Sequence, residues 1–384
     1  MTGLQLARRF YIDEVAPRIA RQWPALRYSA GLIAHGSEVL GFDDEVSQDH
    51  HWGPRVMLFF GADDLAAHGA KIRDYLAETL PYEYGGFPTN FSSPDPDDSG
   101  VQLLAPITDG PVNHRVELLE LRSFLAAYIG IRDITELTEH DWLTLPEQKL
   151  CSLVCGEVFH DGLAAPGGSR PVGSRPGVPP DSAGAGLLSW LREHLAYYPV
   201  NVWYYQMAAG WARIGQEEHL MGRAGSVGDE VGSALIGARI VQTLMRLCFL
   251  IERTYAPYAK WFGAAFRKLR CANALYPALR KVLRSPDWNT REKALVPLYE
   301  KVAQMHNALG ITRPLPDSVH QFHGRPFSVI ADQGFTEALL EKIDDDFLTP
   351  VTRRSPIGGI DLLSDNTDLL SDPAYRPAIR QLFD

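Results

Sequence analysis

Apolar residues recur at helical spacing near the start of the chain, where Leu4, Leu6, Ala7, Phe10, Tyr11, Val15, Ile19 and Ala20 predict an amphipathic helix over residues 4–22. A strand is expected over 27–34, leading into Gly36-Ser37. A second is expected from about Asp49 to Phe60, followed by a helix over 62–79. Residues 81–113 are rich in Pro, Gly, Asp and Ser and read as a long insertion. A third strand is expected over 116–121. Its alternation sets Glu117 with Leu119 and Leu121 on one face, and Glu120 with Val116 and Leu118 on the other, so at most one of the two glutamates faces a given site.

From Asp161 to Gly186 the composition cannot bury a core, and a flexible loop is expected. Helical periodicity then runs from Leu187 to about Leu309, with Pro199, Pro257, Pro277 and Pro286 at boundaries. The longest stripe comprises Ala234, Gly237, Val241, Leu244, Cys248, Ile251 and Tyr255. Beside it Arg239, Arg246 and Arg253 recur every seven residues on one face. The expected class is α+β: a small mixed-sheet domain over 1–150, a connecting segment over 151–186, and a larger helical-bundle domain over 187–384.

The chain has 384 residues and a net charge of −10, which speaks against a general nucleic-acid binder but leaves room for a local basic groove. Arg8, Arg9, Asp13, Glu14, Arg18 and Arg21 interrupt any signal-peptide core, and no apolar run is expected to reach the length of a membrane span; a cytoplasmic location is expected. Cys151, Cys155, Cys248 and Cys271 read as small apolar residues rather than a zinc site.

Gly36-Ser37 is separated by eleven residues from Asp49. Glycine lets backbone N–H groups approach an anion, serine adds a hydroxyl donor, and a carboxylate on the next strand can hold a divalent cation beside that anion. On a strand, Asp49 and His51 share a face with Cα atoms roughly 6.6 Å apart. Most Gly-Ser pairs are ordinary turns, so the pair counts only through this spacing.

The segment from Gly36 to Arg55, with Asp49-His50-His51-Trp52-Gly53-Pro54-Arg55 at its end, Tyr255 to Gly263, and Arg325-Pro326-Phe327 together resemble a bacterial family catalogued as domain of unknown function 4037. That resemblance implies the polymerase-beta-like nucleotidyltransferase superfamily, a nucleotidyltransferase-like first domain, and a helical domain that holds the acceptor. It implies metal binding by Asp49, by the His51 position and by a third carboxylate on a neighbouring strand. Glu117 is the favoured third group, because a charge on an otherwise apolar face needs a reason, and Glu120 competes. The superfamily carries a carboxylate where this chain has His51. Mg²⁺ prefers oxygen, so Mn²⁺ or another nitrogen-tolerant ion, a single metal, or loss of transfer are the open alternatives.

Gly36 and Ser37 are the candidate nucleotide cradle. Arg239 and Lys260 are candidate phosphate contacts, Lys260 among Tyr255, Tyr258, Trp261 and Phe262. The competing reading makes Arg239 part of an ion-paired stripe and Lys260 a lysine lying over packed rings. Asp43 and Asp44 read as a solvated turn, and His140-Asp141 and His160-Asp161 as coincidental pairs. The expected function is Mg²⁺- or Mn²⁺-dependent transfer of an NMP group from an NTP to a hydroxyl on a small molecule, protein or RNA end, with release of pyrophosphate. The alternatives are a noncatalytic nucleotide-binding or interaction module, and divergent chemistry on a nucleotide or phosphosugar.

Overall fold

The computed structural model describes residues 1–48, 52–97, 100–164 and 186–383. The chain is α+β and divides into two compact units, one of Met1–Glu136 with Lys149–Ala196, the other of Leu137–Gln148 with Tyr197–Asp384.

In the first unit, α1 (Gly3–Phe10) starts at a capping box in which the Thr2 hydroxyl accepts from Gln5 N at 3.3 Å and Gln5 Oε1 accepts from Thr2 N at 3.1 Å. Just before Pro17, which cannot donate, the ladder widens into one π turn (Tyr11–Val15) and then resumes as α2 (Ala16–Gln22). The chain continues through β1 (Ser29–Leu32), β2 (Arg55–Phe60), α3 (Ala62–Thr79), the hairpin β3 (Glu83–Tyr84) and β4 (Phe87–Pro88), β5 (Arg115–Glu120) and α4 (Leu121–Ile129). After α5 (Glu139–Thr144) of the second unit come α6 (Glu147–Val154), β6 (Glu157–Asp161) and α7 (Leu187–His194).

The sheet order is β5-β2-β1-β6, with β1 antiparallel to both β2 and β6 and β2 parallel to β5. The second strand starts later than its apolar pattern implies: Trp52, Gly53 and Pro54 precede it outside the ladder, where Pro54 has no N–H to contribute. Residues 49–51 of the expected strand lie outside the described residues. Leu121, expected to end the third strand, instead begins α4.

One sheet face, with Val56, Leu58, Phe60 and Val116, buries Phe10, Tyr11, Val15 and Ile19 from the N-terminal helix and Ile72 and Leu76 from α3. Each such side chain contributes on the order of 1.5–3 kcal/mol. Packing of this face, more than intrinsic propensity, therefore holds a helix that carries Arg8, Arg9 and Arg18.

The second unit is built on α8 (Val200–Ser226) and α9 (Glu230–Ile251), then α10 (Ala259–Phe266), α11 (Ala272–Arg284), α12 (Trp288–Ala308) and α13 (Phe335–Leu340). α8 and α9 run antiparallel. Trp203 Nε1 donates to Leu250 O at 2.8 Å, Arg239 Nε meets Glu217 Oε1 at 2.6 Å, and Ser233 Oγ lies 3.3 Å from Met221 Sδ. The close approach requires Gly210, whose absent Cβ would sit 2.6 Å from Leu247 Cδ2. Below the pair, Trp211 stacks on Phe335 at 4.2 Å and its Nε1 donates to His306 Nδ1 at 3.3 Å, while burial pushes the His306 imidazole down to about 4 and keeps it neutral.

Contrary to the sequence expectation, α9 is long and apolar enough by composition to cross a membrane, with a mean hydropathy of 1.7 over its most apolar window. It is a core helix of this unit: Ile240, Leu244, Leu247 and Phe249 are buried.

Glu218 of α8 accepts from Ile330 N at 2.8 Å and Ala331 N at 3.2 Å. Those bonds favour the carboxylate, yet burial outweighs them and raises its pKa from 4.5 to about 8. The folded chain thus binds a proton that the unfolded chain has released, and stability contributed at this position falls as pH rises from 4.5 to about 8. Glu218→Gln is expected to flatten urea-unfolding stability across that window, removing a slope of up to about 1.4 kcal/mol per pH unit. An unchanged slope would show that Glu218 ionises freely.

Candidate functional site

β1 ends in a backbone that few residues tolerate. Ala34 has φ +69° and Gly36 φ +108°, conformations that cost of order 1–3 kcal/mol for a residue with a Cβ and persist only when their surroundings impose them. Ala34 is held by its N–H on Ser152 O at 2.9 Å and by the Tyr128 hydroxyl donating to its carbonyl at 3.0 Å. At Gly36 a Cβ would collide with the Glu38 carboxylate and the Arg55 guanidinium. The chain then coils tightly, with Val39 N on Gly36 O and both Leu40 N and Phe42 N on Ser37 O, and Ser37 is buried.

Arg55 opens β2, a strand buried at all six positions. A guanidinium there needs partners: Arg55 Nε and Nη2 reach Glu38 Oε1 at 2.9 and 2.6 Å, and Nη2 also donates to the His35 carbonyl. The parallel register sets Arg55 beside Arg115 and Met57 beside Glu117. These residues share the sheet face opposite Val56, Leu58 and Val116. Arg115 Nη2 pairs with Glu117 Oε1 at 3.1 Å, and Nη1 donates to Gln102 Oε1 at 2.8 Å.

α6 adds Lys149, which is buried, donates to Tyr128 O and lies 4.9 Å from the centroid of the Tyr128 ring. The solvent-facing His35 packs edge-on against that ring at 4.9 Å. Its imidazole is lowered, first by desolvation, with Glu117 raising it and Arg55, Lys149 and Arg115 pushing it further down. Three cations, Arg55, Arg115 and Lys149, therefore stand against two carboxylates, Glu38 and Glu117, at the turn.

Glu117 acts electrostatically on His35, the residue before Gly36-Ser37, and Asp49 and His51 lie outside the described residues. Glu120, the competitor of Glu117, caps α4, accepting from Arg122 N at 2.8 Å and Ser123 N at 2.7 Å. Glu120→Ala is expected to cost about 1 kcal/mol in chemical denaturation and to leave nucleotide affinity unchanged; a loss of affinity would return Glu120 to the site. Asp43 is structural, accepting from Gly3 N at 2.6 Å, and Asp44 accepts from Ser47 N at 2.9 Å. Asp161 holds the start of α7 through Leu188 N and Ser189 N, and Asp141 pairs with Arg376 and Arg380.

Arg239 and Lys260 belong to the second unit, where Arg239 pairs with Glu217 at 2.6 Å and the Lys260 ammonium lies 4.9 Å from the centroid of the Trp261 ring. The rest of the arginine stripe is also engaged: Arg246 pairs with Glu147 at 3.4 Å and Arg253 lies over Trp203. Among the described residues no group of three His, Cys, Asp or Glu is arranged to hold a metal; Asp49 and His51 are not part of that count.

His35, Glu38, Arg55, Arg115 and Lys149 had no role in the sequence reading. Arg55 carried a local signal, a charge heading the apolar run Val56–Phe60. Lys149 carried none, because its place depends on where α6 packs.

No curated protein matches the chain. Among solved structures, the crystal structure of a nucleotidyltransferase-like protein from Exiguobacterium sibiricum 255-15 aligns over 91% of each chain at 12% identity and a TM-score of 0.30, and no role is carried over from it. At the level of sequence families, residues 182–262, which run from before α7 through α9 into the start of α10 and include Arg239, Tyr255 and Lys260 but neither the Gly36–Arg55 segment nor Arg325–Phe327, match the family described as Domain of unknown function (DUF4037).

Proposed function

We propose that the turn Ala34–Ser37 binds the phosphates of a nucleoside triphosphate and that the chain transfers the nucleotidyl group to a hydroxyl acceptor, as polymerase-beta-like nucleotidyltransferases do. The observation that carries this reading is that Arg55, Arg115 and Glu117 on one sheet face, with Lys149 from α6, stand beside His35 of the backbone-constrained Gly-Ser turn. Arginine forks match phosphate oxygens; within the turn the Ala34 and His35 N–H groups already donate to Ser152 O and Ile33 O, so the cations would carry the contact with phosphate.

In the transfer, the acceptor oxygen forms a bond to the α-phosphorus, the bond from that phosphorus to the bridging oxygen breaks, and pyrophosphate leaves. The acceptor proton passes to a carboxylate, for which Glu117 is the candidate. Arg115 holds Glu117 in place through the 3.1 Å pair, and Arg55 and Lys149 offset phosphate charge. Glu117 pairs with Arg115 at 3.1 Å, a longer contact than the 2.6 Å Glu38–Arg55 pair, and together with Asp49 and His51 it would supply donor types suited to Mg²⁺ or, given the imidazole, Mn²⁺. The ion would neutralise charge on the triphosphate.

A noncatalytic nucleotide-binding module is the second reading, favoured by His51 and by the engagement of Glu117 with Arg115. Thermal-shift measurements with NTPs and NDPs, each with Mg²⁺, Mn²⁺ or Zn²⁺, test the shared premise. A nucleotide at 100 times its Kd is expected to add about 2.7 kcal/mol of apparent stability. Absence of any nucleotide-dependent shift would remove both readings, and binding without pyrophosphate release in any acceptor mixture would leave the second.

A further inference from the structure

The parallel pair β2 and β5 ends in a cavity at its carboxyl edge. The Gly-Ser turn lies at the Arg55 end of β2, whereas Phe60, Gly61, Glu120 and Leu121 at the other end wall a cavity of about 330 Å³. The strand between them spans roughly 17 Å, so the two places are distinct. Crevices outside the carboxyl ends of parallel strands are where open α/β sheets take ligands, and this volume falls within the usual range for small-molecule sites.

The walls have a consistent chemistry. Leu121, Leu125 and the indole of Trp190 make an apolar interior, and three guanidinium groups, from Arg27, Arg122 and Arg132, stand at the same cavity. The acids present are already committed. Glu120 caps α4, and Asp133 pairs with Arg122 at 2.9 Å and accepts from Thr135 N at 3.0 Å. Arg27 and Arg132 are exposed and make no ion pair within 4 Å or hydrogen bond among the described residues, although Arg132 is near enough to Glu120 to favour its charged form. Trp190 is 6% exposed, and its buried Nε1–H has no acceptor among the described residues. An unmade bond from a buried donor costs about 1–3 kcal/mol, and a ligand with an acceptor would supply it.

We propose that this cavity binds a small organic anion, an aryl or similarly compact apolar body bearing one phosphate or carboxylate. The apolar body lies against Leu121, Leu125 and Trp190, and the anionic head meets Arg27 and Arg132. The site does not depend on nucleotide binding at the Gly-Ser turn.

Isothermal titration of the full chain with 1-naphthyl phosphate, and separately with 1-naphthoate, tests the proposal at low salt. One of the two is expected to bind with Kd below about 1 mM, and the ratio of their affinities assigns the headgroup. Neutral 1-naphthol is expected to bind at least tenfold more weakly. The double variant R27Q/R132Q changes two exposed side chains and is expected to lose at least tenfold in affinity for the anion while keeping its unfolding temperature and its response to NTPs. Binding that is absent for both anions, or equal in the native chain and the double variant, would overturn the proposal. Neither result bears on the turn at Gly36, whose nucleotide binding is read separately in the thermal-shift panel.

Discussion

Arg55→Met is expected to lower the unfolding free energy of the first unit by about 3–5 kcal/mol, the cost of leaving a buried charge without its partner. The Glu38 side chain is 4% exposed and both Glu38 hydrogen bonds from Arg55 go to one oxygen, so the carboxylate left behind would lose its direct partner and have almost no water, with only the more distant Arg115 to offset its charge. Glu38→Leu alone should be comparably destabilising, because it strands the guanidinium. The double variant should recover much of the loss, since apolar residues of similar volume can replace a buried ion pair at little net cost. Urea denaturation of the four proteins closes the cycle. Additive losses would mean that the two residues act independently and that the turn is held by its backbone bonds alone. The same variants bear on the site, because the Arg55 guanidinium also anchors the His35 carbonyl and occupies the space a Cβ on Gly36 would need.

The largest effect on activity is expected at the carboxylates. Asp49→Asn keeps side-chain volume and removes the charge that would hold the divalent ion, an interaction worth several kcal/mol of transition-state stabilisation. Since about 1.4 kcal/mol is tenfold in rate, turnover should fall by roughly a thousandfold with Mg²⁺ and with Mn²⁺. Glu117→Gln should fall in the same range while unfolding at an unchanged temperature, because Gln retains a carbonyl acceptor for Arg115. Arg239→Gln should leave turnover within a fewfold of the native chain, as its guanidinium is already held by Glu217. Pyrophosphate release measured on the three variants decides. Near-native turnover of Asp49→Asn would dismiss the metal site, and a deep loss in Arg239→Gln would bring the arginine stripe back as a phosphate contact.

Much of this arrangement could be read along the chain. Period-two alternation separated Glu117 from Glu120 onto opposite faces, and the sheet turns the first toward Arg55 and Arg115 while the second starts a helix. Period-3.6 patterning found the helices of both units, and Pro199, Pro257 and Pro286 stand just before α8, α10 and α12, whereas Pro277, expected at a boundary, lies inside α11, where the packed apolar face keeps the helix going past the missing N–H. Strand ends were less legible, since apolar residues continue past the last ladder bond: Leu121 looks like strand and is helix, and the residues just before Arg55 look continuous with a strand that Pro54 delays.

The sequence by itself determined the helical and strand periodicities, the α+β class, the Gly-Ser turn before the second strand, and that Glu117 and Glu120 face opposite ways, so that at most one of them can serve a given site. These are local properties, set by backbone geometry over a few residues. Only the tertiary structure decided which charges meet. Lys149 joins His35 because α6 packs beside the end of β1, Arg115 joins Arg55 because β5 pairs in parallel with β2, and Arg239 is taken by Glu217 because α8 and α9 fold back in one register. The cavity beside Trp190 likewise exists only once α4 and α7 close over the ends of two parallel strands. A charge in the chain carries no sign of its partner; burial forces it to find one, and the packing of distant elements determines which one is within reach.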